Sequence, residues 1–116
     1  MTAAYIVFIK EKTSDAVELG RYSAQVGRSF DGREVRFHVT YGRQQVLEGA
    51  PAEGVVVLEF PSWAEAEDWY RSPAYQSAAR HRFAGADYRA ILVEGRPASG
   101  EASPPVSTSD AAERRG

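Results

Sequence analysis

Hydrophobic residues along this chain fall into short continuous runs, separated by stretches in which they recur every three or four positions. Tyr5–Ile9 and Gly54–Phe60 are runs rich in β-branched and aromatic side chains, and both are too short to be helices. They are therefore predicted to be buried strands. Arg89–Val93 is predicted to be the last strand of the fold.

Two further strands are predicted in the middle of the chain. In Val35–Thr40 the apolar residues Val35, Phe37 and Val39 alternate with Arg36, His38 and Thr40. This period of two predicts a strand with one apolar and one polar face, with His38 on the polar face. After Tyr41-Gly42, the segment Gln44–Leu47 is predicted to be a short strand that forms a hairpin with it.

The intervening stretches carry helix signals. Ser14 or Asp15 is predicted to cap a helix that ends near Ser29, and its apolar positions recur at helical spacing. These positions are Leu19, Tyr22, Val26 and Phe30. Ser62 and Glu65 have the spacing of a capping box, so a second helix is predicted to start at Trp63.

That second helix is expected to consist of two pieces. Ser72-Pro73 interrupts it, because proline breaks the preceding turn and suits the first position of a new helix. Arg80, His81 and Arg82 fall near the end of the second piece, where cations complement the helix dipole. His81 is expected to be solvated on the surface.

The element order β-α-β-β-β-α-β, with one strand short, predicts an α+β ferredoxin-like sandwich in which two helices cover one face of an antiparallel sheet. The other face would expose several Val, Ile and Phe side chains, so we expect a homodimer that buries it. Residues 1–96 are predicted to form this domain. Residues 97–116 contain mostly Ser, Pro, Ala, Glu and Arg and are predicted to be a disordered tail.

Composition excludes several classes of function. The net charge is −2 with interleaved signs, so no basic patch for nucleic acid is expected. The absence of cysteine excludes disulfides and thiolate chemistry. No apolar run approaches the roughly 18 residues of a membrane span, so no membrane association is expected and a cytoplasmic location is predicted by default.

Four short motifs resemble the DUF1330 family. They are Val46-Leu47-Glu48-Gly49, Val57-Leu58-Glu59-Phe60-Pro61-Ser62, Trp69-Tyr70-Arg71-Ser72-Pro73-Ala74-Tyr75-Gln76 and Leu92-Val93-Glu94-Gly95. The resemblance covers about Ala4 to Gly95 and implies membership of the dimeric α/β-barrel superfamily, in which two ferredoxin-like subunits join their sheets. The resemblance implies relatives that include quinone-forming monooxygenases, muconolactone isomerases, polyketide cyclases and heme-degrading enzymes. His38 and Thr40 stand where the family usually has an aliphatic residue and Arg, which suggests a specialised member.

His38 is the first candidate for chemistry, because imidazole titrates near neutrality and exchanges protons with a substrate. Glu59 is the second, since a carboxylate buried at a strand end can act as a base. Glu59 or Asp87 would orient His38. The structural alternatives are a half-exposed histidine at His38, a partner for Arg82 at Glu59, and an ion pair of Asp87 with Arg82 or Arg89.

Aromatic residues supply the candidate binding residues. Tyr5, Trp69, Tyr70 and Tyr75 are expected to line one region, either as core or as the wall of a pocket for a planar ligand. Tyr5 or Tyr41 would bond a substrate oxygen, Trp69 and Tyr70 would form the wall, and Arg82 would bind substrate.

The two histidines lack the spacing of a metal site, and the chain has neither a phosphate-binding loop nor a dinucleotide fingerprint. We therefore expect an enzyme without metal or cofactor that cyclises, isomerises or eliminates from a hydrophobic carbonyl or aromatic compound, in bacterial specialised metabolism. The alternatives are a non-catalytic dimeric binding or stress-response module and a cofactor-free monooxygenase.

Overall fold

The computed structural model of the protein describes residues 2–97. Most of the predicted tail, residues 98–116, lies outside the described residues. The described chain forms four strands, three α-helices and one turn of 3₁₀ helix. They are β1 Ala4–Thr13, α1 Ala16–Val26, the 3₁₀ turn Gly27–Phe30, β2 Arg36–Thr40, β3 Gly54–Phe60, α2 Trp63–Arg71, α3 Pro73–Gly85 and β4 Ala86–Glu94.

The four strands form one antiparallel sheet in the order β2-β3-β1-β4. Ile6 lies at the centre of the sheet, opposite Leu58 of β3 and Leu92 of β4. The two central strands, β3 and β1, pair with each other in the sheet although they are not consecutive in the chain, which is the topology of a ferredoxin-like fold. The α+β ferredoxin-like prediction is therefore confirmed.

The core lies between one face of the sheet and the helices. It combines buried residues of β1 and β3 with buried residues of α2 and α3: Ala4, Ile6, Phe8, Leu58, Phe60, Ala66, Trp69, Tyr75 and Ala79. Trp69 is fully buried at its centre, with its ring centroid 4.1 Å from that of Tyr75 and stacked 5.0 Å from Phe30. One indole ring of α2 thus contacts the sheet, the 3₁₀ turn and α3.

The opposite face of the sheet, here called the open face, carries no helix among the described residues. Val7, Val57 and Ile91 occupy neighbouring positions on its three longest strands. Ile91 and Val93 of the edge strand β4 are 38% and 46% exposed, respectively. This apolar, uncovered surface is the reason why a homodimer remains our prediction.

The predicted helix caps agree with the structure. The Asp15 carboxylate accepts bonds from the backbone N–H groups of Val17 and Glu18, so Asp15 and not Ser14 caps α1. Ser62 Oγ accepts from the N–H of Glu65. Ser72 Oγ accepts from Tyr75 N–H and separates α2 from α3, as its position before Pro73 predicted.

Strand lengths were predicted less well. Residues 10–13, expected to be a connection, extend β1, because Lys12 and Thr13 pair with β4 across a bulge. The prediction of a strand at Gln44–Leu47 was wrong, since this segment belongs to the loop 41–53 and β2 pairs with β3 instead. The segment lies in a polar loop that contains glycine, and no neighbouring strand supplies the backbone hydrogen bonds that a strand needs.

A bulge in β2 changes which side chains share a face. Phe37 pairs with Leu58, but Val39 pairs with Val57, so the register shifts between them. Because side chains alternate along each strand, Phe37 faces the helices and Val39 faces the open side. The simple alternation predicted for Val35–Thr40 is therefore wrong after Phe37, and Thr40 faces the helix layer opposite Val56.

Trp69 also makes a buried hydrogen bond, from its indole Nε1–H to Ser29 Oγ at 3.0 Å. Replacing Ser29 with Ala would leave this donor unpaired in the core, so we expect a loss of about 1–3 kcal/mol in the free energy of unfolding. Urea unfolding measures this loss. Ser77→Ala, an exposed change on α3, is the control and should leave stability within about 0.5 kcal/mol; equal midpoints for both variants would contradict the assignment.

Candidate functional site

A cavity of about 300 Å³ lies between the sheet and the helices, and we call it the helix–sheet cavity. Most of its wall is aromatic, with contributions from β1, α1, β2, α2 and β4. The aromatic lining residues are Phe8, Tyr22, Phe30, Phe37, Tyr41, Trp69 and Tyr88. A largely apolar cavity with a few polar groups is the usual form of a small-molecule site.

Arg82 supplies the positive charge of this cavity. It lies in the last turn of α3 and is only 3% exposed. Its guanidinium carbon lies 5.0 Å from the ring centroid of Phe8, and 4.9 Å from those of Phe83 and Tyr88. Ala78, Ala79 and Gly85 are buried on the same helix, and an added Cβ at Gly85 would meet Leu19 of α1 at 2.9 Å, so the glycine lets the end of α3 pack closely on α1.

The polar contacts of Arg82 are few for a buried cation. Its Nε–H donates to Tyr75 Oη at 3.2 Å, and Tyr75 Oη lies 3.0 Å from Tyr22 Oη. Within residues 2–97 the guanidinium forms no salt bridge with a carboxylate. Buried charges are normally paired, so the lack of a carboxylate partner for Arg82 among the described residues is unusual.

The tyrosines around Arg82 are neutral. Burial raises the pKa of Tyr22 far above its ordinary value of 10.0, and its neighbour Tyr75 adds to this effect. Burial also raises the pKa of Tyr75, although the charge of Arg82 partly opposes it. Burial and the hydrogen bond to Tyr41 raise the pKa of Tyr88. At neutral pH these phenols are therefore hydrogen-bonding groups and not bases.

Tyr41 lies at the mouth of the cavity in an unusual conformation. Its backbone φ of 56° is in the left-handed region, which is uncommon for a bulky residue. The ring packs directly on Gly54, where an added Cβ would meet Tyr41 Cδ1 at 2.5 Å. Its hydroxyl lies 2.5 Å from that of Tyr88, and its N–H donates to Val55 O at 2.9 Å. The glycine at the start of β3 thus lets the ring fold over the strand.

His38 and Glu59, two predicted catalytic residues, are close together but lie on the open face. His38 Nε2 is 2.6 Å from Glu59 Oε1, and the Tyr5 ring centroid is 6.1 Å from that of His38. Tyr5 and Glu59 are paired across β1 and β3, so they share a face with each other and not with Trp69. The expectation that Tyr5 lines one region with Trp69, Tyr70 and Tyr75 is therefore wrong.

The other predicted residues fall in different places. Trp69 and Tyr41 line the helix–sheet cavity, as does Arg82. Tyr70 packs against Tyr75 at 5.4 Å and borders a smaller cleft beside Leu92. Asp87 is exposed at the start of β4, opposite Lys12. Neither Asp87 nor Glu59 forms an ion pair with Arg82 among the described residues, which leaves the arginine available to a ligand.

Two tyrosines that line the cavity, Tyr22 and Tyr88, were not predicted as site residues. Tyr22 had been assigned only to the apolar stripe of the first helix, and Tyr88 precedes the predicted last strand. The sequence does contain a signal for one contact of the site. Tyr75 and Arg82 are seven positions apart, which puts both on one face of a helix. No sequence pattern shows that Tyr88 pairs with Tyr41.

Comparison with known proteins identifies the family. A sequence model described as "Domain of unknown function (DUF1330)" matches residues 3–96, which is most of the chain. The chain belongs to the DUF1330 family. The resemblance found in the four short motifs is thereby confirmed, and the description of this family assigns no reaction to it. No curated protein matches the sequence.

Solved structures similar to this DUF1330 protein share its fold at low sequence identity. A protein of unknown function from Rhodopseudomonas palustris is 21% identical with a TM-score of 0.63, over 84% of this chain and 85% of that one. A dimeric ferredoxin-like protein of unknown function from Bacteroides fragilis is 9% identical with a TM-score of 0.56, over 79% and 95%. SnoaB, a cofactor-independent oxygenase from Streptomyces nogalater, is 13% identical with a TM-score of 0.53, over 87% and 100%.

Residues 2–97 contain no cluster of three or more His, Asp or Glu side chains arranged to hold a metal ion. None of the helices in that range has the length and apolar character needed to cross a membrane.

His81 holds together the two helices that cover the cavity, although the sequence had predicted it to be solvated. Its Nδ1 lies 2.7 Å from Glu18 Oε1 on α1, and its Nε2 lies 3.3 Å from Gln25 Nε2. The side chains of His81 and Glu18 are only 16% and 19% exposed. The packing of α1 on α3 therefore shields a residue that the flanking arginines had suggested was on the surface.

This contact predicts a pH dependence of stability. The hydrogen bond from His81 lowers the pKa of Glu18 below its ordinary value of 4.5, and Arg21 contributes. A lowered carboxyl pKa stabilises the fold above pH 4.5, and that contribution is lost as the pH falls through the folded-state pKa. Urea midpoints between pH 6 and about pH 3 should therefore fall more steeply for the native protein than for Glu18→Gln.

The control for this experiment is Glu34→Gln, which changes an exposed carboxylate on the turn before β2. It should retain the native slope between pH 4.5 and about pH 3. A Glu18→Gln slope equal to that of Glu34→Gln would show that the His81 contact adds no stability.

Proposed function

We propose that this DUF1330 protein binds a small, mostly apolar compound as an oxygen anion against Arg82 and promotes its proton-transfer chemistry without a cofactor. The compound would be an aromatic or carbonyl molecule with a phenolic, enolic or carboxylic oxygen. The observation that carries the proposal is the guanidinium of Arg82, buried in the aromatic wall of a cavity and without a carboxylate partner among the described residues.

Electrostatics supports the preference for an anion. A cation within about 4–6 Å lowers the pKa of an acidic group by roughly 1–3 units, because it stabilises the charged form. An enol or phenol that enters beside Arg82 would then lose its proton more readily than in water. Tyr22 adds a neutral hydroxyl to the same wall, so the anion would receive a hydrogen bond as well as charge compensation.

The lining of the cavity supports reactions in which the substrate supplies its own acidity. Among the described lining residues there is no carboxylate and no imidazole, so no side chain there is an obvious base at neutral pH. A substrate C–H or O–H proton would pass to water at the exposed side of Tyr41, and the enolate would remain against Arg82. Return of the proton to another atom completes an isomerisation. Attack of the enolate carbon on a second carbonyl breaks its C=O π bond, and return of the proton from water to the resulting alkoxide completes a cyclisation.

Two alternatives remain compatible with this cavity. The absence of a base among the lining residues favours a non-catalytic module that binds its ligand as an anion. SnoaB has the same fold and is described as a cofactor-independent oxygenase, and an electron-rich anion is the form of a substrate that such oxidation requires. At 13% identity this likeness concerns the fold alone, so oxidation ranks after proton transfer.

The role of Arg82 is tested by binding of 2-naphthoate and its neutral analogue 2-naphthalenemethanol, measured by calorimetry. The native protein should prefer the anion, and Arg82→Gln should lose roughly 10- to 100-fold in affinity for 2-naphthoate with little change for the alcohol, because a charge-assisted bond contributes about 1.5–3 kcal/mol. Arg80→Gln, an exposed change on the same helix, is the matched control. Equal losses in both variants would refute the proposed site.

The His38–Glu59 pair requires its own test, because it lies across the sheet from the cavity. Ketonisation of the enol of benzoylacetone, followed by the loss of its ultraviolet absorbance, reports catalysis of proton transfer. If the cavity is the site, His38→Ala should keep the rate within about threefold of the native protein. A fall of roughly 100-fold or more would instead assign general acid–base catalysis to His38, as the sequence first suggested.

A further inference from the structure

Four of the polar residues that line the helix–sheet cavity form two sets. The first is Arg82 with Tyr22, and the second is the pair Tyr41 and Tyr88. Resting on the proposed function, we propose that the ligand carries two oxygen groups on one apolar skeleton. An acidic oxygen would bind Arg82, and a neutral carbonyl or hydroxyl oxygen would bind the Tyr41–Tyr88 pair.

Tyr88 brings the two sets next to each other. Its ring lies against the guanidinium of Arg82, at 4.9 Å from the ring centroid to Cζ. The hydroxyl on the same ring lies 2.5 Å from the hydroxyl of Tyr41. The second set is therefore about one phenol ring away from the first, which is a separation that a small aromatic ligand can span.

The two sets differ in the charge that they accept. Two phenols that share one hydrogen bond retain one O–H donor and several acceptor lone pairs for a third group. Burial and the hydrogen bond to Tyr41 raise the pKa of Tyr88, so the Tyr88 hydroxyl carries no charge at neutral pH. Such a pair suits a neutral oxygen, while the guanidinium suits the anion.

Tyr41 is fixed in a position that the backbone does not favour. Its φ of 56° is unfavourable for a residue with a Cβ, and it persists because the surrounding contacts hold it. These contacts are the ring on Gly54, the N–H bond to Val55 O and the hydroxyl bond to Tyr88. The loop 41–53 thereby presents one phenol to the cavity, although Tyr41 itself remains 46% exposed.

The size of the cavity limits the skeleton. At about 300 Å³ it lies at the lower end of the roughly 300–1,000 Å³ range of ligand pockets. One or two fused rings with two oxygen substituents fit this volume. Hydroxylated aromatic ketones, quinones and aryl 1,3-dicarbonyl compounds are members of this chemical class.

The test compares 2-naphthol, which has one oxygen, with the set of naphthalenediols that add a second hydroxyl at each available position. Affinities are measured by calorimetry on the full chain. At least one diol should bind about 3- to 10-fold more tightly than 2-naphthol, as one added hydrogen bond allows. Tyr41→Phe should abolish this gain and leave the affinity for 2-naphthol within about twofold, because the ring remains and only the hydroxyl is lost.

Gly54→Ala gives a second variant that leaves every tyrosine in place. Its added methyl group would occupy the space of the Tyr41 ring, so it should also abolish the preference for the diol. Circular dichroism checks that each variant is folded. If one of the two variants is unfolded, Tyr88→Phe is measured in its place. Diols that bind no better than 2-naphthol, or a gain that survives both changes, would overturn the inference. If 2-naphthol also binds Arg82→Gln as tightly as the native protein, the proposed function fails too.

Discussion

The architecture of this DUF1330 protein depends on a cation held inside an aromatic core. Desolvating a guanidinium is costly, and the structure offsets this cost with three aromatic rings around Arg82 and one phenol that accepts its Nε–H. These contacts leave most of its donors without a protein partner among the described residues. Donors that have no protein partner contribute most to the binding free energy of an anion, because the ligand supplies hydrogen bonds that the protein itself does not make.

The sheet separates two chemically different surfaces. On the helix side, Trp69 packs against the 3₁₀ turn, β3 and α3 through Phe30, Phe60 and Tyr75. On the open side, His38 and Glu59 form a hydrogen-bonded pair next to Tyr5. His38 follows Phe37 and faces away from the cavity by ordinary alternation, whereas the bulge turns Val39 to the open side and Thr40 to the cavity. The sheet therefore keeps the His38–Glu59 pair apart from a ligand bound in the cavity.

The sequence was sufficient for the fold but only in part for the site. Capping residues and hydrophobic spacing are local, so Asp15, Ser62 and Ser72 could be assigned to their helices from the sequence. Register and bulges depend on contacts between distant strands, which is why the face of Val39 and the end of β1 were mispredicted. Arg82 and Tyr41 were predicted to bind substrate, but Tyr22, which reaches Arg82 through Tyr75, and Tyr88, the hydrogen-bond partner of Tyr41, come from distant parts of the chain. The cytoplasmic location and the homodimer stay predictions.

The central claim is that the cavity stabilises the anionic form of its ligand, and the ionisation of bound 2-naphthol measures this directly. The absorbance of 2-naphthol is measured as a function of pH, once with saturating protein and once without protein. The account predicts a bound pKa roughly 1–3 units below the free value, because the charge of Arg82 favours the naphtholate. A bound pKa equal to or above the free value would mean that desolvation dominates, and it would contradict a cavity built to bind an anion.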